Sequence, residues 1–468
     1  MLWLAQTCLM AQIILAPLLL GGLRPWALTI LAILTGIGML AICLRPGPMQ
    51  ISKHLLYLWI GIAGLIGWAI LQSLPIWPVQ AYPFNAPHIA LAPHGWLNIA
   101  AYLIWMGGVA SLTALLARLN THLNITIAHT IVITCAIQVA LAAGADLMGW
   151  QTTFWFAKQA HLGDWTGSFA NRTAFGILMA FGILACLFLY DQSRMLSTAK
   201  RLDQAGGWLA IAVLFAAALL ESHSRLAFIM ALVGGVIFII LTPRENVQST
   251  KRLIVITLGI IATITIAILA SPELFDRFTD LARGDLIQRD DLWITALHAI
   301  AERPLTGWGA DSIGLVIAHF ATPDLNANAQ WFSSHNLWLD GAIVFGVPIM
   351  LILLAALIIA IKTVLATCLQ PDTRALLIVL FVMAMLGTIG DWVMLMPALI
   401  LPLVMLGMAS FEAVLAAHRA LPARGDHAGQ SPVPDPEALR QAPNHRRPLL
   451  PPSAPAKPDQ TAFRSAAD

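Results

Sequence analysis

Three polar residues stand out in a chain that is otherwise strongly apolar. Arg225 lies in Glu221-Ser222-His223-Ser224-Arg225, Arg289 in Arg289-Asp290-Asp291-Leu292-Trp293, and His335 in Ser333-Ser334-His335-Asn336-Leu337-Trp338. An arginine fork grips phosphate oxygens bidentately and stays charged at any ordinary pH. A histidine, with an unperturbed pKa of about 6.5, accepts a proton near neutrality and can act as a general base toward a hydroxyl. Two arginines and one histidine acting together could displace a sugar from a lipid diphosphate. The arginines would stabilise the charge growing on the leaving diphosphate, and the histidine would take the proton of the attacking hydroxyl. Each residue also has a plainer reading. Arg225 could be a snorkelling side chain at a span end, Arg289 a structural ion-pair partner of a loop carboxylate, and His335 an interface or helix-start residue.

Other chemistries find less support. The chain has no Gly-x-Ser-x-Gly elbow and no glycine-rich phosphate loop with lysine. Asp290-Asp291 is the only adjacent carboxylate pair outside the C-terminal tail. Neighbouring side chains on a helix diverge by about 100°, so the pair grips a metal poorly. The sequence therefore predicts no metal site and no cofactor. Cys8, Cys43, Cys135, Cys186 and Cys368 lie in or beside apolar segments, without metal-ligand spacing, and no disulfide framework is expected. Nothing points to nucleic acid.

The elements that must hold these residues are membrane spans. Hydrophobic residues make up 59% of the 468 and charged residues only 11%, against about a quarter charged in a soluble domain. About twelve apolar runs approach or reach the length needed to cross a bilayer core. They are 3–21, 26–44, 55–74, 96–117, 124–146, 170–190, 206–222, 226–242, 253–270, 336–361, 373–390 and 392–415. Solid runs of this kind exclude a β-barrel, whose strands alternate. The expected fold is all-α: a polytopic helical membrane protein, with a membrane domain over 1–417. The first run has no basic region before it and no small-residue cleavage site after it, so it is read as a retained span.

Orientation follows from lysine and arginine in the loops. Alternate loops carry Arg45, Lys53, Arg118, Arg194, Lys200, Arg201, Arg244, Lys251, Arg252, Lys362 and Arg374. These are expected to be cytoplasmic, with both termini inside. The short loops of the other set hold few basic residues, Arg24, Lys158 and Arg225, with Arg172 at a span edge, and Arg225, Arg289 and His335 are all expected on this external side. Residues 271–335 form one large external loop between spans 9 and 10, with a helix expected from Leu286 to Arg303, ended by Pro304. On it Arg289, Trp293, Ala296 and Ile300 share a face directed at protein or membrane, while the face of Asp291 and Glu302 is expected to meet water. Residues 418–468 are rich in proline, alanine and charge, and are expected to form a disordered cytoplasmic tail. No internal repeat is evident.

Five stretches together resemble the O-antigen ligase and polymerase superfamily of bacterial envelope enzymes. They are Pro17-Leu18-Leu19-Leu20-Gly21-Gly22-Leu23-Arg24-Pro25-Trp26, Gly167-Ser168-Phe169-Ala170-Asn171-Arg172 and Ser224-Arg225-Leu226-Ala227. The fourth is Arg289 to Trp293 followed by Pro304-Leu305-Thr306-Gly307-Trp308-Gly309, and the fifth is His335-Asn336 followed by Gly346-Val347-Pro348. The resemblance covers roughly residues 10–415. It implies an all-helical fold with the large loop over the site, and metal-independent, inverting transfer from an undecaprenyl-diphosphate donor. It also implies that Arg225, Arg289 and His335 are the functional set. Asn171, Arg172 and Asn336 are expected to help bind substrate. The acceptor would be a glycan or a lipid A core, with membrane lipids around the spans.

This chain has Thr173 where the family often has a second asparagine, and Gly346-Val347-Pro348-Ile349 where the ligase pattern ends Gly-x-x-Gly. The second departure tilts the reading toward polymerase. The alternative function is a transporter or flippase for a lipid-linked or anionic substrate. That function would call for ionisable groups near mid-membrane, and the nearest are Asp340, Asp391 and Glu412, all toward span ends.

Overall fold

The computed structural model describes residues 1–47, 52–76, 79–81, 84–86, 88–193, 198–242, 265, 271, 285–326, 329–368 and 371–420. Within residues 1–242 it has α1 (Leu2–Leu18), α2 (Pro25–Cys43), α3 (Lys53–Ser73), α4 (Trp96–Leu119) and α5 (Leu123–Leu147). These are followed by α6 (Arg172–Gln192), α7 (Thr198–Glu221) and α8 (Arg225–Leu241). A small antiparallel hairpin, β1 (Val79–Ala81) and β2 (Phe84–Ala86), lies between α3 and α4. Then come α9 (Asp285–Glu302), α10 (Ile313–Phe320), α11 (Leu337–Phe345), α12 (Val347–Thr367), α13 (Pro371–Gly390) and α14 (Pro397–Ala420).

Eight of these helices, α2 to α6 and α12 to α14, are long and apolar enough to cross a membrane. Leu2–Leu18, Ala205–Glu221 and Arg225–Leu241 are shorter apolar helices. The protein is thus an all-helical, polytopic membrane protein. The expected span at 253–270 apart from residue 265, most of the first half of the expected loop and the tail beyond 420 lie outside the described residues.

One expected span is corrected. The run 336–361 is not one helix but two, α11 and α12, broken at Gly346 with φ +85. Pro348 has no backbone N–H to continue a helix, and the Gly346 backbone packs directly on the Leu305 carbonyl. The spanning helix starts at Val347, and His335 heads a separate nine-residue helix.

The core gathers around α6. Phe175, Ile177, Leu178 and Phe188 are fully buried there. A Cβ at Gly182 would come within 2.7 Å of Cys135 Sγ and 2.9 Å of Phe215, so glycine lets α5 and α7 close on α6. Several polar side chains inside the bundle pair across helices. Gln12 on α1 accepts from Thr35 on α2 at 3.1 Å and from the Trp105 indole on α4 at 3.2 Å. Arg118 on α4 makes a forked bond to Glu412 on α14, at 2.8 and 3.3 Å.

The Pro304–Gly309 stretch is an architectural joint. Trp308 N donates to Ile343 O at 2.7 Å, Gly309 N to Val344 O at 3.1 Å, and Val347 N to Pro304 O at 2.8 Å. The Gln72 amide on α3 donates to Thr306 O and Val344 O at 2.6 and 2.8 Å. Arg303 stacks on Trp308 with its guanidinium carbon 3.9 Å from the ring centroid, and donates to Ile89 O. This joint fixes α9 against the α11–α12 break. It thereby places Arg289 and His335 relative to the spans.

Candidate active site

Asp391 is the residue around which the site assembles. It follows the last residue of α13, is 2% exposed, and caps a single 3-10 turn by accepting from Val393 N. Its Oδ1 lies 3.2 Å from His335 Nδ1, and its Oδ2 lies 3.9 Å from Arg289 Nη2. Arg289 also reaches Gly390 O at 3.5 Å. An ionised carboxylate only accepts, so Nδ1 of a neutral His335 carries the hydrogen and Nε2 keeps the lone pair. The contacts of Arg289 are long and its side chain is 40% exposed. Most of its N–H donors therefore remain uncommitted among the described residues.

Arg225 enters from α8. Ser224 caps this helix by accepting from Ala227 N, and Arg225 is its first residue. Leu226 packs so tightly on Gly390 that a Cβ there would lie 2.6 Å from Leu226 Cδ1. This brings the start of α8 beside the Gly390–Asp391 junction. Arg289, His335 and the start of α8, far apart in sequence, thus meet at one junction, where α13 ends and α14 begins.

The turn bearing His335 is braced. Asp340, 5% exposed, accepts from Ser333 Oγ at 2.5 Å, Ser334 N at 2.8 Å and Ser334 Oγ at 2.7 Å. Ser333 Oγ accepts from His335 N at 2.9 Å, and the Trp293 indole on α9 donates to Ser334 O at 3.1 Å. His335 itself has φ +55, a left-handed conformation uncommon for a side-chain-bearing residue.

Beside this site lies a second carboxylate hub. Asp164 accepts from Arg172 Nη1 at 2.8 Å and lies 2.8 Å from His223 Nδ1. Lys158 donates to Asp164 O at 2.7 Å. Burial pulls the Lys158 ammonium below lysine's ordinary range, opposed by Asp164 and Asp146.

Two residues expected to bind substrate have their side chains engaged elsewhere. Asn171 caps α6 by accepting from Thr173 N at 2.7 Å, and Asn336 caps α11 by accepting from Trp338 N and Leu339 N. The α9 reading is also corrected in part. Asp291, placed on the water-facing side, is 8% exposed, because α9 buries the stripe of Leu292, Thr295, Ala296 and Ala299 beside it. Arg289 sits at the edge of that stripe. Asp164, His223 and the pairing role of Asp391 were missed. His223 stands two residues before Arg225, but its partner Asp164 is 59 residues away in an irregular loop. Among the described residues no group of three His, Cys, Asp or Glu side chains is placed to hold a metal ion.

Fold and site together define a multi-pass membrane protein with a cluster of arginine, histidine and buried carboxylate at one end of its helix bundle. Residues 210–354 match the family model described as O-antigen ligase, in line with the resemblance carried by the sequence motifs. The matched stretch contains Arg225, Arg289 and His335. No curated protein matches the chain. The family match supports glycan transfer of the ligase or polymerase type.

Proposed function

We propose that this protein transfers or polymerises a glycan carried on undecaprenyl diphosphate, at the periplasmic face of the bacterial inner membrane. The observation that carries the reading is the convergence of Arg289 and His335 on the buried carboxylate of Asp391, with the start of α8 alongside. Asp391 holds the imidazole so that Nε2 takes the proton of the acceptor hydroxyl. The acceptor oxygen bonds to the anomeric carbon as the bond from that carbon to the phosphate oxygen breaks, with inversion. Arg225 and Arg289 stabilise the diphosphate as it leaves. No metal is called for in this scheme.

The carboxylates that a transporter would use are otherwise engaged. Glu412 is paired with Arg118, Asp340 with two serines, and Asp391 with His335. The test is to delete the gene and analyse the glycans held on the carrier lipid. Accumulated single repeat units would identify a polymerase, and accumulated finished chains a ligase. Unchanged carrier-linked glycans would overturn the proposal.

A further inference from the structure

Asp340 has no part in the scheme above, yet it is buried and tied to the residues just before the proposed base. It makes three hydrogen bonds of 2.5 to 2.8 Å to Ser333 and Ser334, which spends both carboxylate oxygens on one short turn. A helix needs no such brace to begin at this point, since Asn336 already caps α11. The turn instead holds His335 in the left-handed region, a conformation uncommon for a side-chain-bearing residue.

Two further contacts show what the brace controls. The Ser333 hydroxyl that donates to Asp340 also accepts from His335 N, so the carboxylate fixes the backbone from which the imidazole projects. Ser334, bonded to Asp340 through both its N–H and its hydroxyl, presents its carbonyl to the indole of Trp293. Trp293 lies one helical turn beyond Arg289 on α9. The same turn therefore sets His335 on one side and docks the arginine-bearing helix on the other.

We infer that Asp340 is a positioning residue: through Ser333 and Ser334 it sets the imidazole of His335 against Asp391 and the helix of Arg289 against both. The inference rests on the reading of His335 as the base. A misplacement of about 1 Å at a reacting group can cost on the order of 100-fold in rate, so loss of the brace lowers turnover without removing a group that touches the donor.

The test uses the full-length protein purified in detergent, with the carrier-linked glycan extracted from the deletion strain as donor. Asp340→Ala is expected to lower kcat on the order of 100-fold with the donor KM nearly unchanged. Ser333→Ala, which removes one hydroxyl and keeps the fold, is expected to lower kcat in the same direction by a smaller factor. A purely structural role would lower the amount of folded protein and leave kcat per folded molecule at the wild-type value. Wild-type kcat in folded Asp340→Ala, or in Ser333→Ala if the first variant fails to fold, overturns the inference, as does a raised KM with unchanged kcat. His335→Ala, run alongside, separates the two readings. Full activity in that variant removes the base assignment itself, whereas an inactive His335→Ala beside a fully active Asp340→Ala removes only the role of Asp340.

Discussion

His335 Nδ1 and Asp391 Oδ1 lie 3.2 Å apart, although 56 residues separate them in sequence. The carboxylate is almost wholly buried and the imidazole is 28% exposed. The pair is therefore anchored on its acid side and open on the other, as a base that meets a substrate hydroxyl must be. Replacing Asp391 with Asn should leave the protein folded but free the ring to take the wrong tautomer. Turnover is expected to fall on the order of 100-fold or more, measured as glycan transfer per folded molecule. Near-wild-type turnover would detach Asp391 from the chemistry.

Asn171→Ala and Asn336→Ala should act on stability rather than on binding. Each side chain spends its oxygen on helix-start N–H groups. The loss of such a cap costs about 1 kcal/mol. Thermal unfolding should shift down modestly in both variants, while the donor KM stays at the wild-type value. A raised KM with unchanged melting would return these residues to the binding site.

Gly307 should tolerate no side chain. Its φ is +66, and an added Cβ would meet Val344 O at 2.6 Å and Gly346 N at 2.7 Å. These are backbone atoms that cannot swing aside. Gly307→Ala is expected to abolish the folded, monodisperse species in size-exclusion chromatography. A well-behaved Gly307→Ala protein would show that the joint between α9 and the α11–α12 break is softer than its geometry implies.

The Arg118–Glu412 pair offers a contrast with the site. Glu412 is 1% exposed in its side chain and its carboxylate accepts two guanidinium bonds. Glu412→Ala leaves the partly buried Arg118 guanidinium without that partner, a change expected to cost about 1–3 kcal/mol. The melting temperature should fall, with turnover of the surviving folded protein unchanged. Loss of turnover at normal stability would instead favour a transport role for this carboxylate.

The helical membrane fold was legible in the sequence because span length and apolar composition are local properties. Runs such as 96–117 and 124–146 match α4 and α5 to within a few residues. The break inside 336–361 has a local signal in Gly346 and Pro348, which the unbroken apolar composition of the run masks. The close approach of Leu305, which leaves no room for a Cβ at Gly346, belongs to the fold and could not be read locally. Arg225, Arg289 and His335 could be picked out as polar residues beside the spans in loops expected to be external. The anchor common to Arg289 and His335 could not be found that way. Asp391 reads locally as a short interruption between two spans, and only folding brings it to His335. Asn171 and Asn336 show the converse: motif residues beside a site can serve the helices that frame it.

The most direct measurement is release of the free carrier diphosphate by purified protein in a single turnover, comparing wild type with His335→Ala. The donor is the carrier-linked glycan extracted from the deletion strain, with acceptor supplied from the same membranes. Wild type is expected to release the carrier diphosphate in step with glycan product, and folded His335→Ala to release essentially none. Equal release by the two proteins would contradict the assignment of His335 as the base.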